Sequence, residues 1–388
     1  MYEAYITKGG RRLRLGYTTG TCAAAAAKAA AQLLLGGETH RCSSVTVAVP
    51  AGDEIPVEIE QLRMEEGRAF CAVRKDGGDD PDATHGMQIC ATVSFLKPGE
   101  TPDADFPQVL ITGGRGIGRV TKPGLDQPVG EAAINSVPRR MITEHVREVM
   151  RQYGCSGSLQ VEISAPDGEE IAKKTFNPHL GIEGGISIIG TSGIVEPMSD
   201  AAILGTVKAE LSVRKAAGEK IAFFTLGNYG SSYLAQHLPD LSGRAVTCSN
   251  FIGESIDLAL EAGFEGILFL GHFGKLVKLG AGIMNTHSSF ADGRMDVLVS
   301  CALTAGADLS LLHQIQESIT TDAAIGSLRQ SGEKILQGTM EQLTERVDFY
   351  LRKKVKDTVP VGAILFTQTQ NVTAETAQVP TLLKMLTP

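Results

Sequence analysis

Tryptophan is absent from this chain of 388 residues, and aromatic residues together make up only 5% of it. That excludes the rows of stacking rings with which single-stranded nucleic acid is usually held. Basic residues are in deficit: 36 Lys and Arg stand against 44 Asp and Glu, a net charge of −8. Such a balance argues against a general nucleic-acid or membrane-surface binder. The seven cysteines (Cys22, Cys42, Cys71, Cys90, Cys155, Cys248, Cys301) stand singly, with no C-x-x-C pair. That fits reduced thiols in a cytoplasmic protein better than a disulfide framework or a zinc site. No apolar run reaches the roughly 18 residues of a membrane span. The opening MYEAYITKGGRRLRLGY has no apolar stretch of the kind a signal peptide needs. Also missing are a Walker A loop, a G-x-S-x-G elbow, an H-E-x-x-H zinc motif and the acidic-x-Gly-x-Gly loop expected of ordinary Rossmann-type methyltransferases.

Glycine and alanine are what the chain has in quantity. Glycine occurs 44 times, above the average of about 7%. Residues 16–31 read GYTTGTCAAAAAKAAA, a threonine-rich turn running into nearly pure alanine. Alanine has the best helix propensity, so Cys22–Leu35 should be helical. A helix without bulky side chains lets another backbone or a ligand approach closely. Thr18, Thr19 and Thr21 put hydroxyls beside the unpaired N–H groups of its first turn. Two readings fit: a capped helix packed tightly on a sheet, or an anion site aided by the helix dipole.

The first half alternates in short runs. Strands are expected at 43–50, 55–60, 69–75, 88–96, 106–112 and 158–166, with a helix at about 131–150. Strands outnumber helices, which predicts an α+β domain with a mixed or antiparallel sheet. The texture changes near residue 186. From there strands at 220–228, 244–250, 266–272 and 361–367 alternate with helices near 231–238, 254–263 and from Lys275. Further helices fill 294–337 in pieces and 339–355. Strand–helix repetition predicts a parallel sheet covered on both faces, a doubly wound, Rossmann-like α/β domain. The expected division is 1–195 and 196–388, with the boundary somewhere in 185–215.

Four groups of residues draw attention. The loop KDGGDDPDATHG (75–86) crowds Asp76, Asp79, Asp80 and Asp82 beside His85. Such a cluster suits a cation, a ribose, an ammonium or a shared proton, with Asp79 and Asp80 as candidate catalytic carboxylates. A solvated turn is the plainer reading. ITGGRGIGRVTKPGL (111–125) has a G-x-G after a strand but leads into Val-Thr-Lys-Pro-Gly rather than a helix, so it is not a dinucleotide loop. It reads as a glycine hairpin presenting Arg115, Arg119 and Lys122, joined by Arg139 and Arg140, to carboxylates; a basic surface turn fits equally. Three strand-to-helix loops carry Gly227, Asn228 and Gly230, then Ser249 and Asn250, then Gly271, His272, Gly274 and Lys275. In an open α/β sheet the ligand lies at the carboxyl ends of the strands. His272 at a strand end is a candidate acid, base or donor. Finally NTHSSFADGRMD (285–296) reads as pocket lining or an ion-paired corner.

Taken in order, GYTTGTCAAAAAKAA, KDGGDDPDATHG, ITGGRGIGRVTKPGL with EAAINSVPRRMI, TFNPHLGIEGGISIIGTSGIVEPMSDAA, SNFIGE, GHFGKLVKL and NTHSSFADGR closely resemble the cobalt-precorrin-5B C1-methyltransferase family of the anaerobic cobalamin pathway. The resemblance runs from about residue 14 to about residue 310. It implies that S-adenosylmethionine donates a methyl group to ring carbon C1, giving cobalt-precorrin-6A and S-adenosylhomocysteine. The cobalt would arrive inside the substrate, so no protein metal site is implied. On this reading the corrinoid's carboxylates meet Thr18, Thr19, Thr21, Arg115, Arg119, Lys122 and Lys275, the bare alanine helix admits the flat ring, and the C-terminal sheet loops take the adenosyl donor, with Gly227 and Gly271 leaving room. A nucleotide-binding phosphoryl-transfer enzyme and a non-catalytic corrinoid carrier are the alternatives. Neither nucleic acid nor membrane is expected as a partner, and an oligomer is compatible with the sequence.

Overall fold

The computed structural model describes residues 2–97, 101–102 and 108–386. The chain divides into two compact units, Met1–Ser199 and Asp200–Pro388.

The first unit is built on a five-stranded mixed sheet. Its strands run, in spatial order, Gln61–Glu65, Arg68–Arg74, Gln88–Phe95, Leu159–Ser164 and Val109–Gly113. All neighbours are antiparallel except the last pair, which is parallel. Of the expected strand at 106–112, residues 106 and 107 lie outside the described residues. The alanine helix spans Thr19–Gly36 and packs on the sheet and against a second helix, Ser136–Gln152. Ala23–Ala27 and Ala29–Ala31 are all fully buried. Their small side chains let the helix axis come close to strands rich in Ala, Cys and Val, and interiors are packed too densely to leave that space empty. The helix is therefore core. The expectation that its bare face admits a flat ring is corrected: sheet and neighbouring helix already cover it. A hairpin, Ser44–Ala48 with Glu54–Glu58, alternates exposed and buried residues and adds Val45, Val47, Ile55 and Val57 to the same core.

The second unit holds a second five-stranded sheet. Its order is Val246–Thr247, Ile221–Thr225, Gly266–His272, Val361–Phe366 and Thr373–Glu375. The first four strands are parallel and the last is antiparallel. Every residue of Ile221–Thr225 and Val361–Phe366 is buried, as expected for parallel strands shielded on both faces. One face carries Phe224, Ile267, Phe269 and Leu365, packed with residues of the helices Ile252–Glu261, Arg294–Thr304, Thr321–Ser331 and Glu333–Val355. Phe224 and Phe269 stack with ring centroids 5.1 Å apart. The other face carries Phe223, Leu268, Leu270 and Phe366 against the helices Gly227–His237 and Val379–Leu386. The helix expected from Lys275 begins at Phe273, is four residues long and passes into a 3₁₀ turn, Val277–Ala281. No helix of the described residues is long and apolar enough to cross a membrane.

Candidate functional site

The threonine turn is a latch inside the first unit. Thr18 caps the alanine helix by accepting from the Thr21 N–H. Thr21, fully buried, donates its hydroxyl to the Gly193 carbonyl at 2.7 Å. The Thr19 hydroxyl donates to the Ile189 carbonyl (3.2 Å) and accepts from the Ile189 N–H (2.9 Å). The Gly20 N–H donates to the Ile189 carbonyl. The Thr19 and Thr21 hydroxyls are thus partnered by the segment 187–193, and the Thr18 hydroxyl by Thr21 of the helix itself.

The aspartate loop is likewise cross-braced. Asp76 takes a bidentate pair from Arg14 at 2.5 and 2.7 Å, and that guanidinium holds its carboxyl below the usual carboxylate range. Asp82 pairs with Lys75, which is only 2% exposed, and accepts from the Thr84 N–H and hydroxyl. Burial alone would raise the Asp82 carboxyl, but Lys75 and Thr84 outweigh it and bring it below the ordinary value. Asp79 accepts from the Arg14 N–H (2.6 Å) and Asp80 from the Met198 N–H (3.0 Å).

In the glycine segment, Gly116 has φ +73°, and a Cβ there would lie 1.9 Å from the Ala165 carbonyl oxygen. Only glycine allows that approach. Arg119–Val120 pairs with Ile182–Glu183. Arg115 and Arg119 are exposed, Arg119 donating to the Gly130 carbonyl. The Lys122 stem lies against Gly181, with its ammonium 3.5 Å from the His179 carbonyl. Arg139 is turned inward, donating to the Ile134 and Ile111 carbonyls. Its expected place beside Arg115 and Arg119 on the basic surface is corrected.

The second unit brings its predicted loops together at the carboxyl ends of the parallel strands. A cavity of about 400 Å³ is lined by Asn250, Gly274, Lys275, Lys278, Thr286 and Arg294, among others. The helix Gly227–His237 starts here with no side chain capping it. Gly227 has φ +68°, and the nearest atom to a Cβ added there is the Lys275 ammonium, at 3.4 Å. That ammonium donates to the Ser249 carbonyl at 3.3 Å. Burial pushes its pKa below the usual lysine range, and neighbouring Lys278 adds to the effect. Lys278 is 3% exposed and donates to the Thr286 and Ala291 carbonyls at 3.0 and 2.8 Å. Arg294 chelates Asp292 at 2.7 and 2.8 Å and holds that carboxyl at about 2. The Asn250 carboxamide oxygen accepts from Thr286. Ser249 has φ +55°, uncommon for a residue with a side chain.

Three site residues behave otherwise than the sequence suggested. Gly271 and Gly230 face packing: a Cβ on Gly271 would meet Leu226 and Leu276 at 3.2 Å, and one on Gly230 would meet Thr225 at 3.1 Å. Gly271 makes room for leucines, which corrects the idea that it makes room for a ligand. His272 is hydrogen-bonded at one ring nitrogen and lies beside a carboxylate at the other. Nδ1 accepts from the Gly274 N–H at 3.0 Å, which leaves the proton on Nε2. Nε2 lies 3.0 Å from Asp322 Oδ1, off the line a hydrogen bond requires. The Gly274 bond and the Asp322 contact position the ring, and its Nε2 has no hydrogen-bond partner among the described residues. Asp322 is the residue that sequence reasoning missed. It comes from the first turn of the helix Thr321–Ser331, and its other oxygen accepts from the Gln368 and Thr369 N–H groups and the Thr369 hydroxyl.

Comparisons with known proteins agree with one another. The CbiD family model matches residues 6–197, and the model for the CbiD C-terminal domain matches residues 285–377. A cobalt-precorrin-5B C(1)-methyltransferase of Ruminiclostridium cellulolyticum is 44% identical over 94% of this chain and 92% of its own. One of Alkaliphilus metalliredigens is 40% identical over 99% and 98%. The crystal structure of a cobalamin biosynthesis protein (cbiD) from Archaeoglobus fulgidus shares 32% identity, covering 74% of this chain and 86% of that one, with a TM-score of 0.39. At this identity and coverage, the chain belongs to the CbiD family.

Proposed function

We infer that this chain is the C1-methylating enzyme for cobalt-precorrin-5B, drawing its methyl group from S-adenosylmethionine. The observation that carries the reading within the molecule is the Lys275 ammonium in a crevice beside the uncapped helix start at Gly227. The sheet there is read as doubly wound and Rossmann-like. The Ile221–Thr225 strand is flanked by the next two strands in the chain, one on each side, so this crevice is a topological switch point. A helix start and a half-buried ammonium together favour an anion. The donor's amino-acid carboxylate is such a group, and the residues present fit it.

When bound, the donor supplies a methyl carbon whose bond to sulfur breaks as its bond to C1 forms, the electron pair leaving with sulfur. The chain's own part is to bind, align and exclude water. Gly227 and Asn228 offer backbone N–H groups, and Lys275 supplies the countercharge. Ser249 and Asn250 border the same crevice, and Gly274 tightens its far wall through His272. Exposed Arg115 and Arg119 of the first unit are assigned to carboxylates at the macrocycle's rim. Asp79 and Asp80, each tied to a backbone N–H, keep their remaining acceptor capacity for a donor group on a ligand.

The test is an anoxic incubation of purified protein with cobalt-precorrin-5B and methyl-labelled S-adenosylmethionine. One label per macrocycle, at C1, with equimolar S-adenosylhomocysteine, is expected. An unlabelled macrocycle would overturn the reading. Stabilisation of the protein by ATP alone would favour phosphoryl transfer, and stabilisation by corrinoid with neither nucleoside would favour a carrier.

A further inference from the structure

A second cavity, of about 480 Å³, opens at the carboxyl end of the Val361–Phe366 strand, and no motif of the sequence pointed to it. The Gly227–His237 helix contributes Tyr229, Ser232 and Tyr233, and the strand end and hairpin contribute Phe366, Gln368 and Asn371. Tyr233 stacks on Phe366 with ring centroids 4.2 Å apart and on His237 at 4.1 Å, so it is a fixed wall. Tyr229 is 56% exposed and lines the same space. No lysine, arginine, aspartate or glutamate is among the described residues that line it. The Lys275 crevice differs: Lys275, Lys278 and Arg294 line it, and no phenylalanine, tyrosine or tryptophan is among the described residues that do.

His272 stands between the two. Its ring lies 5.9 Å from that of Tyr229 and 5.8 Å from that of Phe366, both in the aromatic cavity. On the other side it is bonded to Gly274, which lines the crevice. Asp322 fixes both parts, touching His272 with one oxygen and holding the Gln368–Thr369 backbone with the other. His272 thus links residues that line the two pockets.

We propose that the aromatic cavity is the base subsite of the nucleoside donor, taking an uncharged planar heterocycle while the crevice takes the carboxylate. The inference rests on the methyl-transfer reading above. A neutral aromatic wall favours a flat ring. The Gln368 and Asn371 carboxamides each offer both donors and an acceptor, the set needed to read an adenine edge. The macrocycle's carboxylates find no lysine or arginine among the described residues here. His272 is the positioning residue that sets the distance between the two subsites.

The experiment is equilibrium dialysis of S-adenosylhomocysteine and of adenosine against wild type, Ser232→Trp, Tyr229→Ala and Lys275→Met. Ser232 is exposed, so an indole there fills the cavity without entering the core. Ser232→Trp should weaken both ligands roughly tenfold or more, given what a base–aromatic contact contributes. Tyr229→Ala should weaken both several-fold and is the fallback if the tryptophan variant does not fold. Lys275→Met should weaken S-adenosylhomocysteine while leaving adenosine unchanged. Wild-type affinity for both ligands in folded Ser232→Trp and Tyr229→Ala would overturn the subsite and leave the methyl-transfer reading standing. Wild type that neither binds S-adenosylhomocysteine nor methylates the macrocycle would overturn both.

Discussion

The two units each contain a helix start next to small, flexible residues, and the two starts have opposite fates. At Thr18–Thr21 every hydroxyl is committed to the helix itself or to the segment 187–193, and the helix behind it is sealed in alanine. At Gly227 no side chain caps the helix, and the nearest neighbour to the missing Cβ is a lysine ammonium. The difference teaches that a helix start becomes a site by what is left unpartnered around it. Threonines, which look like ligand donors in sequence, can close a start from within through their hydroxyls. Glycine cannot do so.

The sharpest way to break this comparison is a pair of substitutions. Lys275→Met should reduce kcat/KM by roughly 30-fold to 4,000-fold, the scale of about 2–5 kcal/mol for removing one partner of a desolvated charge pair. Its melting temperature should not fall, since a half-buried ammonium is lost. Thr21→Val should do the reverse, costing about 0.5–1.5 kcal/mol of stability by removing the hydroxyl's bond to the Gly193 carbonyl, which keeps the Thr18 N–H, while kinetics stay near wild type. Equal kinetic loss in both would erase the distinction.

Ala26→Leu probes the sealed side alone. Overpacking there should cost about 1–3 kcal/mol, a drop of roughly 2–4 °C per kcal/mol for a unit of this size, and S-adenosylhomocysteine affinity should be unchanged. Tolerance of leucine would mean that the alanine face has space for more than the sheet.

The units should also differ in their response to pH. Asp76 and Asp82 sit below their ordinary pKa beside Arg14 and Lys75. Their contribution is present above the unfolded carboxylate value of about 3.9 and is lost as pH falls through the lowered folded values. Glu210 of the second unit is pushed up to about 7 by burial. Its contribution is present below the unfolded value of about 4.3 and is lost as pH rises through about 7. Glu210→Gln should therefore raise the melting temperature at pH 8 and leave it nearly unchanged at pH 4, whereas Asp76→Asn should flatten the acid limb. Thermal melts across pH 3–9 give the answer. The smallest effect expected is at Arg119→Ala: a several-fold rise in apparent KM for the macrocycle with kcat unchanged, because an exposed guanidinium is weakly coupled to the fold.

Much of the framework was legible because hydrophobic period is a local property. Gly266–His272 lies where its apolar run placed it, and the mixed sheet of the first unit follows from its alternating segments. Less visible was the strand Gln61–Glu65, whose sequence is mostly polar because it lies at the sheet edge, with Arg63 covering the Phe70 ring. The closing strand Thr373–Glu375 and helix Val379–Leu386 were also missed. The strand is short, and the helix gains its stability from packing on the sheet face. Site chemistry was legible to the extent that it sat in one loop. The crevice lining comes from two recognisable strand-to-helix loops, at Asn250 and at Gly274–Lys278, and from the 285–296 motif. Asp322 and the aromatic cavity were not visible, since His272, Tyr233 and Gln368 meet only through the fold. One signal was available: Tyr229 and Tyr233 are spaced i, i+4 on a helix, which puts both rings on one face.

Hydrogen–deuterium exchange of the whole chain with and without S-adenosylhomocysteine tests the central claim most directly. The account predicts protection of amides in 226–231, 271–276 and 366–372, and none in 16–22. Protection confined to 16–22, with the sheet ends unchanged, would contradict it.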